Sequence, residues 1–464
     1  MKTRGLRIAA VTLGTLLVAG CAMGPDYERP DTATPEAFEQ AIESGTSIAN
    51  LNWWELFGDE QLNSLIRIAL EQNKDLRIAI SRIEEARANL GFVRSDQYPQ
   101  FEVSAGANRG NSIAGTAVIL PVSNNFVLAG NLSFELDLWG KLRRSTEAAQ
   151  AELLATVDAG NSVMITLISD VASVYLLLLD LDARVVIAVR TLRTRNESLD
   201  IIQARFDRGT VALIDVKQAE IEKYDAEAQL VALQREDVQA ENLLNILLGQ
   251  HPGAIMRDRH IIRSLAPIKV PSGLPSELLE RRPDIRVAEQ QLAAQTARIG
   301  VAEAIRFPSL SLTGTLGLAS DELSGFFTSD NKTWGLSAGL IAPVLNAGRN
   351  KRRVDVEIAR TEQALLNYQQ TVLQALQEVE DSLISVNTFE LEVVARDKQE
   401  ESAASAAMLS RARYDGGVTS YLEVLESERS LFRAELLASS THRQQLVSYI
   451  TLYKALGGGW YPQN

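Results

Sequence analysis

The sequence predicts a mainly α-helical chain with a transmembrane β-barrel portion, built as a tandem structural repeat whose copies each carry long coiled-coil helices and two strands. Three observations predict it. Gly348 to Tyr414 contains no proline or internal glycine and is rich in Ala, Leu, Glu, Gln and Arg, the strong helix formers; at 1.5 Å per residue such a helix is roughly 100 Å long. Phe126, Leu128, Leu132, Phe134, Leu136 and Leu138 share one parity while Asn131, Ser133, Glu135 and Asp137 share the other, the pattern of a strand with one apolar and one polar face. The landmarks around these elements occur twice, 208 or 209 residues apart, the mark of a repeat.

Residues 1–20 join a basic start, Lys2, Arg4 and Arg7, to the apolar run Ile8 to Ala19, the layout of a secretory signal. Leu17-Val18-Ala19-Gly20-Cys21 resembles a bacterial lipobox, which makes Cys21 the acylated first residue of the mature chain. A covalent lipid on Cys21 is then the one prosthetic group expected; ordinary signal cleavage beside a chance cysteine is the alternative. Ala22 stands where Asp would resemble an inner-membrane retention signal, so the resemblance favours the outer membrane. Cys21 is the sole cysteine, which leaves no internal disulfide. With 46% hydrophobic and 23% charged residues the composition is ordinary, and no stretch beyond the leader reads as a transmembrane helix, so a membrane role falls to strands or a lipid. The net charge of −13 argues against nucleic acid as a partner.

In order, residues 21–58 read as a lipid anchor and an extended segment, with a Pro/Thr/Glu/Gly-rich tether leading to Trp53-Trp54. Asp59 offers a helix cap, and one helix is expected from about Glu60 to Asp96. The first repeat, 59–250, continues with strands at about 98–108 and 125–138, separated by a Gly/Asn/Ser-rich loop containing Pro121. A long helix from Gly140 to Phe206 follows, broken at most by Gly160, and a return helix from about Leu213 to Leu248. In the long helix Val171, Val174, Leu178, Leu181, Val185, Ala188, Leu192, Arg195, Leu199, Ile202 and Phe206 step by three and four, with Arg195 the one polar member; this is a coiled-coil seam. After a linker, 251–275, the second repeat, 276–457, has strands at about 308–318 and 332–343, its own long helix with Leu365, Val372, Leu376, Val379, Leu383, Val386 and Val393 on a similar seam, and a return helix. A tail, 458–464, closes the chain.

The echoes are specific. Asp75-Leu76-Arg77 returns as Asp284-Ile285-Arg286, Tyr98-Pro99 as Phe307-Pro308, Arg205-Phe206-Asp207-Arg208-Gly209 as Arg413-Tyr414-Asp415-Gly416-Gly417, and Leu248-Gly249 as Leu456-Gly457. Two shorter helices of about 36 residues, roughly 54 Å each, together match one long helix, so they can lie along it as a broken second rod. Strand ends then gather at one end of the rods and the glycine turns at the other. Alternation alone also fits a half-buried strand of a soluble sheet. As barrel strands, two per repeat cannot close a barrel, whose usual minimum is eight; the chain must oligomerise, and two copies or three would both suffice.

The chain resembles the TolC family of outer-membrane channel proteins, in its lipoprotein branch of OprM/NodT-like outer-membrane factors. The residues that carry the resemblance are Cys21-Ala22-Met23-Gly24-Pro25-Asp26-Tyr27, Trp53-Trp54 with Phe57, Arg281-Arg282-Pro283-Asp284-Ile285 and the paired glycine turns. The resemblance implies a homotrimer with a 12-strand barrel and an α-helical periplasmic tunnel, anchored in the outer membrane of a Gram-negative bacterium. It implies as partners a periplasmic adaptor (membrane fusion protein) and an inner-membrane RND-type transporter, with outer-membrane lipid around the barrel. The function implied is a passive exit duct for small toxic compounds or drugs.

No enzyme is indicated. His251, His260 and His442 have no metal-ligand spacing, and His251 and His260 read as solvated loop residues. The turns are the functional candidates. Glu423 and Glu426 are one helical turn apart on one face and by resemblance line the periplasmic aperture with Tyr414, an aromatic that holds the tip closed; a solvated helix face is the alternative. Asp215 stands in the first copy where Glu423 stands in the second, and Thr419 replaces the family's basic latch partner. Gly209 and Gly417, each preceded by Arg205 or Arg413, resemble the adaptor-docking tips and also fit helix capping. Tyr98, Phe307, Trp139 and Trp334 fall near strand ends, where interfacial aromatics concentrate; core packing is equally open to Trp139. A type I protein-secretion duct and a metal-ion efflux duct are alternatives of the same class, and a structural coiled-coil envelope lipoprotein is one of a different class.

Overall fold

A computed structural model of the chain describes residues 22–32, 35–39, 53–111, 113–114, 118–119, 122–257 and 275–458; Cys21, Pro121 and His260 lie outside the described residues. A 3-10 turn, Trp53–Phe57, precedes α1 (Glu60–Gln72), α2 (Lys74–Ser95), β1 (Gln100–Gly110), β2 (Ile113–Ala114), β3 (Val118–Ile119), β4 (Ser123–Leu136), α3 (Lys141–Asp207) and α4 (Leu213–Leu247). After a second 3-10 turn, Pro275–Glu277, come α5 (Leu278–Arg281), α6 (Pro283–Ala304), β5 (Ser309–Ser320), the 3-10 turn Ser329–Asn331, β6 (Lys332–Ile341), α7 (Arg349–Asp415) and α8 (Tyr421–Ala455). Two compact units share these elements, one gathering residues up to Asp31 with Arg82–Val157 and Val287–Gln369, the other Thr32–Ser81, Asp158–Arg286 and the residues from Gln370 onward. The helices α3 and α7 each run unbroken for 67 residues and contribute to both. Gly160 does not interrupt α3.

The first unit holds an antiparallel sheet in the order β1-β4-β5-β6. Its register brings the apolar parities together: Phe101 opposite Leu132, Leu128 opposite Leu318, Phe134 opposite Leu312, Leu316 opposite Trp334 and Leu310 opposite Leu340. Glu102, Asn131 and Thr315 run across the other face, with Thr313 beside Ser337. One face is therefore continuously apolar and the other polar, and a slip of one residue would exchange them. The apolar face is bare: Phe101, Val103, Leu316, Trp334, Leu336 and Leu340 are all exposed. Within it the Phe101 ring lies over Gly130, where a Cβ would come within 2.8 Å of the ring. The loop expected between the first two strands contains a small hairpin, β2 with β3, paired separately from the main sheet. Trp139 takes the packing alternative: its ring stacks on Phe307 at 4.7 Å and its indole N–H donates to the Pro308 carbonyl at 2.8 Å.

The segment after Cys21 has no helix or strand among its described residues, and it is seated rather than a free tether. Met23 N donates to the Trp139 carbonyl at 3.1 Å, and the buried Arg144 donates to the Met23 and Gly24 carbonyls and to Asp26 at 2.7 Å. Gly24, at φ +85°, and Gly300 meet backbone to backbone so closely that a Cβ on either would overlap the other strand of chain. Farther along, Tyr27 and Arg29 both donate to Glu289. Composition marks this stretch as lacking a period; it cannot report the glycines and the arginine elsewhere that receive it.

The second unit is a helical bundle. Every member of the α3 seam from Val171 to Phe206 is buried or half-buried, and so is every member of the α7 seam. Asp59 caps α1 by accepting from Gln61 N and Leu62 N, and Tyr175 donates to its other oxygen at 2.8 Å. The single helix expected from Glu60 to Asp96 is two helices, broken at Asn73. Asn73 leaves the helical conformation at ψ 135°, accepts from Leu76 N, and donates 2.8 Å to the Leu247 carbonyl at the end of α4. The second copy builds the same joint from a different residue: Arg282 separates α5 from α6 at ψ 119° and donates 2.9 Å to the Ala455 carbonyl at the end of α8. Each joint thus supplies a side-chain donor to a helix end that has lost its own.

The expectation that no stretch beyond the leader is apolar enough for a transmembrane helix does not hold. The helix α3 does contain a stretch apolar and long enough to cross a membrane by composition, and more than half of that stretch is buried within the fold. Seam residues on a helix packed from several sides produce that composition without a bilayer.

Candidate functional site at the twin helix turns

The chain reverses twice through turns of one design, α3 to α4 and α7 to α8. Gly209 sits at φ +74° and Gly417 at φ +72°, a left-handed conformation that only glycine adopts without strain. Gly209 N donates to the Phe206 carbonyl at 2.8 Å and Thr210 N to the Arg205 carbonyl at 3.0 Å; Gly417 N to Tyr414 and Val418 N to Arg413 repeat the pair at 3.0 Å each. These are Schellman caps, which satisfy the last carbonyls of the long helices. Both glycines face open space, so the turns are set by dihedral angle and not by crowding.

Beneath the turns the four helix ends share an apolar core of Ile202, Val216, Ala219, Tyr421, Val424 and Leu425, against which Leu199, Phe206, Val211 and Tyr414 pack. Tyr414 lies against Tyr421 at 5.4 Å between ring centroids, and the Arg205 guanidinium sits 4.9 Å from the Tyr414 centroid, a cation–π distance. The Tyr414 hydroxyl is buried and has no hydrogen-bond partner among the described residues. Burial pushes the Tyr421 phenol up to about 12.

The two acids of the predicted pair both have partners. Glu423 accepts from the Thr419 hydroxyl and pairs with Arg413 at 3.5 Å, while Glu426, 70% exposed, lies 3.6 Å from Arg429. Thr419 and Arg413 therefore both tie Glu423 back to the turn. In the first copy Asp215 accepts from Ala212 N at 3.1 Å and serves as a helix-start acceptor. Arg205 also reaches Asp415 at 3.7 Å, across from one turn to the other.

Farther up the bundle is a charged layer whose members sequence reading did not join. Arg195, 4% exposed, lies between Glu428 at 2.5 Å and Glu222 at 3.6 Å; Arg429 pairs with Glu222, and Arg411 with Glu428 at 3.5 Å. Burial raises the Glu428 carboxyl above its ordinary range, with Arg195 and Arg411 opposing the shift. The signal was present in the sequence as the one polar residue of the seam; its partners, on α4 and α8, are distant in sequence and reach it only through the fold. A buried charge left without its partner is costly, so this layer fixes which residues of the four helices face each other. Among the described residues no cluster of His, Cys, Asp and Glu can hold a metal ion. The assembled groups are charges, caps and aromatics.

A family model described as "Outer membrane efflux protein" matches the chain twice, over residues 65–250 and 274–458. The cation efflux system protein CusC of Escherichia coli K12 is 34% identical over 449 residues, covering 96% of this chain and 97% of its own. The toluene efflux pump outer membrane protein TtgI of Pseudomonas putida is 34% identical over 472 residues, with 99% of each chain covered. Among solved structures, the outer-membrane channel OprN superposes with a TM-score of 0.87 at 32% identity, covering 95% of this chain and all of that one.

A β-branched residue at either turn is strained whatever the space around it, so Gly417→Val should cost on the order of 1–3 kcal/mol. Hydrogen exchange of detergent-solubilised protein should show lost protection confined to the helix ends around Arg413–Val424, with the sheet unchanged. Unaltered protection there would show that the left-handed cap does not hold the turn.

Proposed function

The chain belongs to the outer membrane efflux protein family and is an outer-membrane efflux channel; from that premise we propose that it is the passive exit duct for small toxic compounds, driven by an inner-membrane RND-type transporter through a periplasmic adaptor. The observation that carries this reading is the pairing of a sheet with one bare apolar face and one polar face to long helices that end in capped turns. An apolar outer and polar inner face is what a water-filled barrel in lipid requires. On this reading three copies pool their strands into a 12-strand barrel, the helices form the periplasmic tunnel, and the turns at Gly209 and Gly417, with Arg205 and Arg413, meet the adaptor.

Cargo choice belongs to the pump rather than the duct. Relatives named for cation efflux and for toluene efflux stand at the same 34% identity, which fits a wall that does not discriminate. A metal-ion duct is the second reading, favoured by the CusC likeness. The lipid on Cys21 is proposed from the lipobox alone. The mass of the mature chain should exceed that of the polypeptide from Cys21 by its acyl groups, and an unmodified N-terminal peptide would remove the anchor.

Glu423 and Glu426, with Tyr414, form the aperture of the resting duct in this reading. The arginines beside both acids temper their field without cancelling it, since exposed pairs are worth little and screen readily. In planar bilayers Glu423→Gln with Glu426→Gln should lose divalent-cation block and part of the cation preference, and the difference should shrink as salt rises. Selectivity and block equal to those of the parent protein would place both residues on an outer, solvated face. Absence of any conductance from reconstituted parent protein and from protein supplied with its adaptor would overturn the duct itself.

A further inference from the structure

The two long helices start alike and are neutralised differently. Gly140 at φ +78° and Gly348 at φ +79° occupy matching places, so Lys141, Arg143 and Arg144 correspond to Arg349, Lys351 and Arg352, each 208 residues on. Neither helix has an acid in its first turn. In the first copy the cations are met from within the chain: Lys141 by Glu135 at 2.6 Å, Arg143 by Asp137 at 3.3 Å, and Arg144 by Asp26 at 2.7 Å and Glu147 at 2.8 Å. In the second copy the places of Glu135 and Asp137 are taken by Pro343 and Leu345, and Arg353 adds a further cation. Arg352 reaches Asp355 at 3.4 Å, but Arg349, Lys351 and Arg353 are exposed and have no carboxylate in ion-pair range among the described residues.

Cations at a helix N-terminus oppose its dipole, and four within five positions repel one another. Such an arrangement calls for anions from outside the described residues. Immediately before it, Val344 is 92% and Leu345 95% exposed, continuing from the bare Leu340 of the apolar sheet face. All four strands of the sheet join helices at this same end, and in an outer-membrane protein extending into the periplasm that end faces the periplasmic leaflet. We propose that Arg349, Lys351 and Arg353, with Val344 and Leu345, form a docking patch for an anionic phospholipid of that leaflet, its phosphate held by the cations and its acyl chains against the apolar pair. Basic residues behind exposed apolar ones at a membrane boundary are suited to this ligand. The patch depends on the outer-membrane location and not on adaptor coupling or cargo.

The test is native mass spectrometry of the full-length protein in detergent with added phosphatidylglycerol or phosphatidylcholine. The parent protein should retain phosphatidylglycerol preferentially, and the preference should shrink as salt rises. Arg349→Gln, Lys351→Gln and Arg353→Gln should each lower it roughly fivefold, whereas Arg349→Lys should keep it. Equal retention of the two lipids by the parent protein, a preference indifferent to salt, or full retention by the triple Gln variant would each overturn the patch. So would loss of the oligomer in the triple variant without any lipid preference in the parent, which would assign these cations to carboxylates of a neighbouring copy.

Discussion

The constraint on which the structure turns is the pair of open edges on its sheet. Among the described residues the strands β1 and β6 each have a neighbour on one side only, and the apolar face they bound has exposed residues on all four strands. In hydrocarbon each unpaired backbone group costs several kcal/mol, so an open sheet cannot remain there alone. Strict alternation of side chains fixes the register and with it the direction each face must look. The sheet is therefore one segment of a wall, complete only when other strands satisfy its edges.

Repetition supplies the parts, and the differences between copies specialise them. Both copies break the rod at the same place and hold the break against a helix end, but one uses the amide of Asn73 and the other the guanidinium of Arg282, which also binds Asp284 and Glu378. Both reverse through the same glycine cap, yet Asp215 serves a backbone N–H while Glu423 is drawn to Thr419 and Arg413. Where the first copy settles its charges internally around Asp26, Glu135 and Asp137, the second leaves them outward. A duplicated fold keeps backbone geometry because caps and seams demand it; side chains not so bound can diverge.

Much of this was legible in the sequence, for identifiable reasons. Long helices, their seams and their glycine stops are local and periodic, and the strand parities at Phe126–Leu136 and Leu310–Leu318 need only neighbours in sequence. The break at Asn73 was not legible, because its cause is the distant Leu247 carbonyl, and Asn within a helix-forming run carries only a weak penalty. Nor was the seat of Ala22–Asp31, which depends on Gly300 and Arg144. At the candidate site the glycine stops at Gly209 and Gly417 were legible as helix caps, because a left-handed cap is a local feature. The Arg413–Glu423 contact across the turn and the layer around Arg195 appeared only once α3, α4, α7 and α8 were brought together, whereas Arg429 stands one turn from Glu426 on the same helix.

The central claim is that this sheet is one third of a closed barrel. The most direct measurement is the mass of the purified protein in detergent, taken by light scattering with the detergent contribution subtracted, together with its conductance in lipid. Three chains per particle, with conductance only from that species, are expected. A stable single chain that inserts into bilayers and conducts would contradict it.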